Sequence, residues 1–225
     1  MFERRSMGTK PTGDEVPRVT PSPTQLLRRF HRGDPKAAEA LWSLLAPRML
    51  AVASRIVHAE AEDLVQQAFL KALQTPRREI RKVRDAEAWL FVILRNACLS
   101  IVRERRREAL RRARVANGSP PSGPTGATPN ATIDAAPPVV RLLEHLSDDL
   151  REPVLLRHAG GLSFTQIALV LSLPRSTVAD RYTRAIEQLR SLAAESAGDG
   201  YAGGRSVLRS LGEPENNHPL VEVRR

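Results

Sequence analysis

The chain has 225 residues, 41% of them hydrophobic and 27% charged, which is enough for two modest cores but short for a large enzyme. Its 35 Lys and Arg outnumber its 25 Asp and Glu, and the net charge of +10 favours a nucleic-acid partner and, less specifically, an anionic membrane surface. The absence of a long apolar run and of a secretory signal predicts a cytoplasmic protein with no membrane partner.

Composition along the chain predicts five segments. Residues 1–24 are polar and proline-containing and predict a disordered tail, and residues 25–114 form a helical block. Proline and glycine in residues 115–138 predict a flexible linker, residues 139–194 form a second helical block, and residues 195–225 form a polar tail. No alternating run predicts a strand. The expected fold class is therefore all-α, with two small helical domains joined by a flexible Pro/Gly-rich linker.

Apolar residues at helical spacing predict four helices in the first block. Asp34 before Pro35 predicts the start of the second helix, and the third helix is expected to point Asp63 and Gln66 outward. The fourth helix is predicted from about residue 85 to 107. The expected apolar faces contain, in chain order, Leu26, Leu27, Phe30, Ala37, Leu41, Leu44, Leu45, Leu64, Val65, Ala68, Phe69, Leu73, Trp89, Leu90, Ile93, Leu94, Ala97, Leu99 and Ile101.

The end of this block is strongly basic. Residues 77–114 contain thirteen Lys and Arg and five Asp and Glu, so Glu104 and Glu108 cannot pair all the arginines around them. Phosphate contact and a solvated helix end explain this charge equally well. Cys98 is the chain's single cysteine and is interpreted as a small buried apolar residue without an assigned function.

The second block contains the pattern of a helix-turn-helix. Ser163 and Gln166 match a capping box, residues 172–174 match the turn, and a preceding helix with Val154 to Leu156 is expected to complete a small core. Apolar residues recur at Val178, Tyr182, Ile186 and Leu189. The same spacing leaves six residues for a DNA groove, namely Arg175, Ser176, Thr177, Asp180, Arg181 and Arg184. An ordinary helical hairpin is the alternative, and the motif alone does not distinguish one class of DNA-binding transcription protein from another.

Both blocks in this order resemble the extracytoplasmic-function (ECF) class of sigma-70 RNA polymerase sigma factors. Residues 61–73, AEDLVQQAFLKAL, are similar to the polymerase-binding helix of that family, and residues 88–97, AWLFVILRNA, to its promoter-melting helix. Residues 146–192 are similar to the domain that reads the minus-35 element. The resemblance implies a non-enzymatic factor that binds core RNA polymerase and promoter DNA and directs initiation at particular promoters.

The resemblance also implies roles for individual residues. Asp63, Gln66 and Phe69 would engage the clamp helices of the polymerase's largest subunit, although Phe69 fits a core position as well. Residues 75–85 would capture an unstacked base of the minus-10 element. The expected minus-10 contacts are Arg81, Lys82, Trp89, Arg95, Asn96 and Arg103, of which Trp89 also fits the core. The six exposed residues of the helix-turn-helix would read the minus-35 element.

Three features depart from the family pattern. Ala179 and Asp180 stand where a Lys followed by Ser is common, and Asp180 either accepts a hydrogen bond from cytosine or pairs with Arg184. Pro174 replaces the usual hydroxyl cap of the recognition helix. The tail after Ala194 exceeds the minimal family length, so regulation by this tail and regulation by an anti-sigma factor are both open.

Two other classes of protein are alternatives to this interpretation. A conventional regulator would use only the helix-turn-helix for DNA and the first block for binding another protein. An enzyme acting on nucleic acid has little support, because Asp34, Asp63, Asp85 and the five histidines show no catalytic or metal-ligand spacing. We therefore expect no metal or other cofactor.

Overall fold

The computed structural model describes residues 21–117 and 142–198, and all regular structure within them is helical. This confirms the all-α expectation for the described residues. The α-helices are α1 (Pro23–Phe30), α2 (Lys36–Ala53), α3 (Ala61–Gln74), α4 (Arg77–Ile80), α5 (Ala86–Asn117), α6 (Asp148–His158), α7 (Phe164–Leu171) and α8 (Arg175–Gly198). Most of the predicted tails and of the predicted linker lies outside the described residues.

The helix boundaries follow local capping chemistry. Ser22 and Gln25 form a capping box that starts α1, a feature not predicted from the sequence. Asp34 does not cap α2, since its carboxylate instead binds the Arg29 guanidinium at 2.8 Å. The short helix α4 lies within the predicted capture loop, and α5 continues ten residues past the predicted end at Arg107.

The first core lies among α1, α2, α3 and α5. On α2 the buried face contains Ala37, Leu41, Leu45 and Met49, each one helical turn from the next. Leu44 was expected on this face but is exposed. It lies one residue out of step with the buried series and is therefore rotated by about 100° from it.

The C-terminal helices do not share one small core. Leu150 and Val154 of α6 pack with Ala185, Ile186 and Leu189 of α8 in a separate cluster. The helix α7 turns the other way, and its Ile167, Val170 and Leu171 join the N-terminal core together with Leu156, Leu162 and Val178. The two helical blocks therefore contact each other through a shared apolar interior. No described helix is long and apolar enough to cross a membrane.

Candidate nucleic-acid and polymerase interfaces

The helix-turn-helix is built by α7, a three-residue turn and α8. Ser163 Oγ accepts a hydrogen bond from the Gln166 N–H at 3.3 Å, and Gln166 Oε1 accepts one from the Ser163 N–H at 2.9 Å, which confirms the predicted capping box. The turn contains Ser172 in the left-handed conformation, with φ of 55°, and α8 starts immediately after Pro174. Val178 is fully buried and anchors the first turns of α8 to the helices beneath it.

An aromatic contact holds α8 against α6. His158 Nε2 lies 2.9 Å from the Tyr182 hydroxyl, and the two rings stack with centroids 5.8 Å apart. Phe164 of α7 meets the same tyrosine ring edge-on at 5.2 Å. Burial, with a smaller contribution from the Arg157 charge, lowers the pKa of His158, and burial raises the pKa of Tyr182. Burial therefore favours the neutral imidazole, and the contact with Tyr182 joins α8 to α6.

The outer face of α8 presents the residues expected to read DNA. Arg175, Ser176, Asp180 and Arg184 are exposed, while Thr177 and Arg181 are half-buried. Ser176, Asp180 and Arg184 follow at intervals of four and so lie on one side of the helix. Among the described residues no ion pair joins Asp180 to Arg184, so the suggested pairing of these two side chains is not formed.

One side of α5 carries three of the expected minus-10 contacts. Trp89, Asn96 and Arg103 are seven residues apart and therefore lie on nearly the same side of the helix. Asn96 and Arg103 are exposed, and Trp89 is half-buried against the core. Trp89 thus has the mixed environment of a packed side chain with one accessible part.

Arg95, the neighbour of Asn96, is not free. Its Nε lies 2.5 Å from Glu152 Oε1 and its Nη2 lies 2.9 Å from Glu152 Oε2, so the guanidinium and the carboxylate meet with two parallel hydrogen bonds. Glu152 belongs to α6 of the other helical block. This expected DNA contact is therefore occupied by a carboxylate in the described arrangement.

The basic end of α5 is only partly neutralised. Arg105 binds Glu60, whose pKa is lowered chiefly by that hydrogen bond, and Glu108 pairs with two arginines, Arg111 and Arg112. Arg103 forms no ion pair within the described residues. The structure therefore separates arginines engaged within the protein from those available to an external anion.

A basic cavity of about 400 Å³ lies between α1 and α4 and was not predicted from the sequence. Arg81, an expected minus-10 contact, lines it, and Lys82 follows directly and is exposed. None of the lining arginines forms an ion pair with a described carboxylate. The lining residues are Arg28, His31, Arg32, Arg77, Ile80 and Arg81. Their separation along the chain hid this convergence, because α1 and α4 meet only in the fold.

An apolar groove of about 430 Å³ runs between α2 and α3. Gln66 lines it, and Asp63 is exposed nearby on α3, whereas Phe69 is buried and packs edge-on against Trp42 at 4.7 Å between centroids. Trp42 is 41% exposed and Leu70 is 55% exposed. Of the three expected polymerase contacts, two are therefore accessible, and the exposed aromatic ring at this groove is Trp42.

No cluster of three or more His, Cys, Asp or Glu among the described residues has the arrangement of a metal site. Cys98 is fully buried, as expected, and burial raises the pKa of its thiol to about 11. The candidate functional features of the described residues are exposed polar and charged surfaces and ion pairs.

Comparison with known families finds two matches in chain order. Residues 41–108 match the model of Sigma-70 region 2, and residues 138–189 match the model of Sigma-70, region 4. The first range contains the α2–α3 groove and most of α5, and the second contains the helix-turn-helix. This order separates a sigma factor from a conventional regulator, which would need only the second.

Individual relatives agree with the family models. The chain is 31% identical over 176 residues to RNA polymerase sigma factor CarQ of Myxococcus xanthus, covering 75% of this chain and 96% of that protein. It is 35% identical over 136 residues to ECF RNA polymerase sigma factor SigL of Mycobacterium tuberculosis, covering 59% of this chain and 73% of that protein.

A solved structure is also similar: the sigma factor RpoE from Bartonella quintana, in complex with the anti-sigma factor NepR. It has a TM-score of 0.50 and 28% identity, over 68% of this chain and 94% of that one. The chain therefore belongs to the ECF-type sigma-70 family of RNA polymerase sigma factors, non-enzymatic proteins that direct promoter-specific transcription initiation.

Proposed function

We propose that this sigma factor divides promoter recognition between its two helical blocks, residues 25–114 and 139–194. The first block binds core RNA polymerase and captures the minus-10 element, and the second reads the minus-35 element. The observation that carries this proposal is the recognition helix α8, which buries Val178, Ile186 and Leu189 and exposes a polar, cationic face on its other side. The protein acts in the cytoplasm, with the polymerase.

In the minus-35 interaction, α8 enters the major groove through its N-terminal half. Arg175 and Arg184 supply cations that form no ion pair among the described residues, and Ser176 and Thr177 supply hydroxyl groups. The pKa of Asp149 of α6 is lowered chiefly by a hydrogen bond from Ser147 and, to a smaller extent, by the charge of Arg181, so Arg181 is less available to a phosphate than the other two arginines. Asp180, free of Arg184, accepts a hydrogen bond from a cytosine amino group. Asp180 thus favours a cytosine in the minus-35 element, a preference that the serine common at this position in the family would not give.

In the minus-10 interaction, the exposed side of α5 and the basic cavity act together. Asn96 offers hydrogen bonds to a base edge, Trp89 offers part of its ring for stacking, and Arg103 offers a cation for the backbone. Arg81 and Lys82 extend this surface to the cavity between α1 and α4, where the other arginines have no carboxylate partner among the described residues. A displaced strand bound here would be held mainly through its phosphates.

The polymerase contact is the groove between α2 and α3. Asp63 and Gln66 are exposed on α3, and Leu70 follows Gln66 one turn later on the same side. Trp42 adds an exposed ring that rests on buried Phe69. A partly apolar groove with a polar rim is the usual composition of a protein interface, and exposed Trp is enriched among the residues that dominate binding energy.

Two forms of regulation accompany this proposal. The similar RpoE structure contains the anti-sigma factor NepR, which supports an anti-sigma factor as a partner of this chain. The alternative is regulation by residues 195–225, nearly all of which lie outside the described residues. The linker, with a flexible composition, would let the two blocks reach two separate promoter elements.

Reconstituted transcription tests the proposal. The full chain is mixed with bacterial core polymerase and a genomic fragment library, and transcript starts are sequenced with and without the protein. We expect defined starts that depend on the protein and share two upstream elements. Arg184→Ala should weaken use of the minus-35 element, and Asn96→Ala should impair opening at the minus-10 element. The assignment of α8 to the minus-35 element and of α5 to the minus-10 element would be contradicted by transcript starts that share only one upstream element. Unchanged transcript starts in the two variants would contradict it as well.

A further inference from the structure

The two helical blocks meet through polar contacts that join specific functional elements. Besides the paired hydrogen bonds between Arg95 and Glu152, Gln166 Nε2 donates to Asp85 Oδ2 at 3.1 Å and to Glu87 Oε2 at 2.9 Å. Gln166 is the third residue of α7 and the partner of Ser163 in its capping box, while Asp85 and Glu87 lie at the start of α5. The start of the helix-turn-helix therefore rests on the start of the melting helix.

A third polar contact closes the same interface. Arg48 of α2 donates from Nε to the Gly160 carbonyl oxygen at 2.8 Å and also pairs with Glu87 at 2.5 Å. Gly161 has φ of 63°, and a β-carbon there would come within 2.8 Å of the Arg48 guanidinium. The turn after α6 is thus shaped to admit this arginine.

Apolar burial accompanies the polar contacts. Ile167 and Val170 of α7 share one buried cluster with Phe91, Leu94 and Cys98 of α5. Apolar burial favours the closed arrangement without directing it, whereas the charged hydrogen bonds fix its geometry. The interface therefore has both a source of stability and a set of residues that specify how the blocks dock.

This arrangement conflicts with simultaneous recognition of two promoter elements. The minus-35 and minus-10 elements are named for positions 25 base pairs apart. At about 3.4 Å per base pair, this corresponds to about 85 Å of B-form DNA. Here, Gln166 at the start of the helix-turn-helix lies 3.1 Å from Asp85 at the start of α5. The blocks must separate before both can reach their elements.

We propose that the Arg95–Glu152 pair, with the contacts of Gln166 and Arg48, is an intramolecular clasp that holds the free chain closed and keeps Arg95 from promoter DNA. The inference rests on the proposed minus-10 role of Arg95 for its functional consequence, but closure itself does not. Glu152 acts as an internal substitute for a DNA phosphate. Strand binding and closure therefore compete for the same guanidinium.

Cys98 provides a built-in reporter of closure. It is fully buried and lines a small cavity whose other walls include Glu152, Leu155 and Leu156 of α6 and Phe91 and Leu94 of α5. Departure of α6 would remove one wall of this cavity. Since Cys98 is the chain's single cysteine, thiol labelling followed by intact mass reports on this position alone.

The test compares Glu152→Lys with Glu187→Lys in the full chain. Both variants reverse one acid of the C-terminal block, but Glu187 is exposed and forms no ion pair among the described residues. We expect Cys98 in Glu152→Lys to react with a maleimide at least about tenfold faster than in the parent chain, since a charged hydrogen-bond pair is lost. Glu187→Lys should react at the parent rate.

Equal labelling of Glu152→Lys and the parent, or equal acceleration in both variants, would overturn the clasp. Circular dichroism measures the helix content of each variant and so identifies one that misfolds. If Glu152→Lys misfolds, Glu152→Gln replaces it, and we expect a smaller increase in the rate of Cys98 labelling. Affinity for a mixed-sequence single-stranded 20-mer tests the competition: Glu152→Lys should bind about tenfold more tightly than Glu187→Lys. Equal affinity would refute competition at Arg95. Neither measurement depends on polymerase, so failure here is distinct from failure of the proposed initiation activity.

Discussion

Leu70→Ala should weaken binding of the chain to core RNA polymerase while leaving its stability almost unchanged. Leu70 is 55% exposed on α3, one helical turn after Gln66, which lines the α2–α3 groove, so its truncation leaves no internal cavity. Full burial of a leucine side chain is worth about 1.5–3 kcal/mol, so covering its exposed 55% would contribute about 0.8–1.7 kcal/mol. The dissociation constant should therefore rise by about 4- to 17-fold.

Leu110→Ala is the matched control for this prediction. Leu110 is 42% exposed near the basic end of α5 and does not line the groove, so its truncation should change core affinity by less than about twofold. Binding is measured by fluorescence anisotropy of labelled protein titrated with core polymerase, and thermal unfolding is recorded for each variant. Equal affinities for Leu70→Ala and the parent chain would refute the groove as the polymerase surface. Equal losses in both variants would show a non-specific effect of apolar area.

Three further predictions concern the C-terminal block. Ser172→Gly should raise the free energy of unfolding by about 0.5–1 kcal/mol in a denaturant titration, because Ser172 holds a left-handed φ of 55° that glycine adopts without strain; a loss of stability would contradict this. Burial lowers the pKa of His158 below its unfolded value, so its contribution to stability is complete above about pH 6.5 and is lost as the pH falls through the folded pKa. The unfolding temperature of His158→Gln should therefore depend less on pH between 7.5 and 5.5 than that of the parent. Equal dependence in both proteins would show that groups other than His158 cause the loss of stability at low pH. Arg184→Ala should reduce the slope of log affinity against log salt by about one for minus-35 duplex bound by the polymerase complex, whereas Glu187→Gln should leave it unchanged.

The sequence predicted the helices best where local rules determine them. The capping box of Ser163 and Gln166, the turn after Leu171 and the buried spacing of α3 all follow from residues within a few positions of one another. The exposure of Leu44 shows where this fails. An apolar residue beside a buried series looks similar in sequence whether it faces the core or a partner, and only the packed helix decides.

Contacts between distant segments were not predictable in the same way. The basic cavity brings Arg28 of α1 and Arg32 just after it together with Arg77 of α4, 49 positions after Arg28, and no local pattern links them. Asp180 and Arg184 illustrate the reverse case, since their spacing allows an ion pair that the described structure does not form. Helical spacing makes a contact available, while the choice among partners depends on the neighbouring helices.

The Arg95–Glu152 contact of the clasp is a further case in which the two partners, 57 positions apart, could not be matched from the sequence. Seven basic residues were expected at the DNA surfaces, and within the described part of the chain Arg95 is the one among them that is engaged in an ion pair. Its partner Glu152 comes from the other promoter-binding block. Opening the blocks therefore does two things at once: it frees the helix-turn-helix to move away and adds one cation to the surface of α5. Because each phosphate neutralised releases condensed counterions, strand binding by the opened chain should depend on salt more steeply, by about one phosphate contact, than binding by an Arg95→Gln variant.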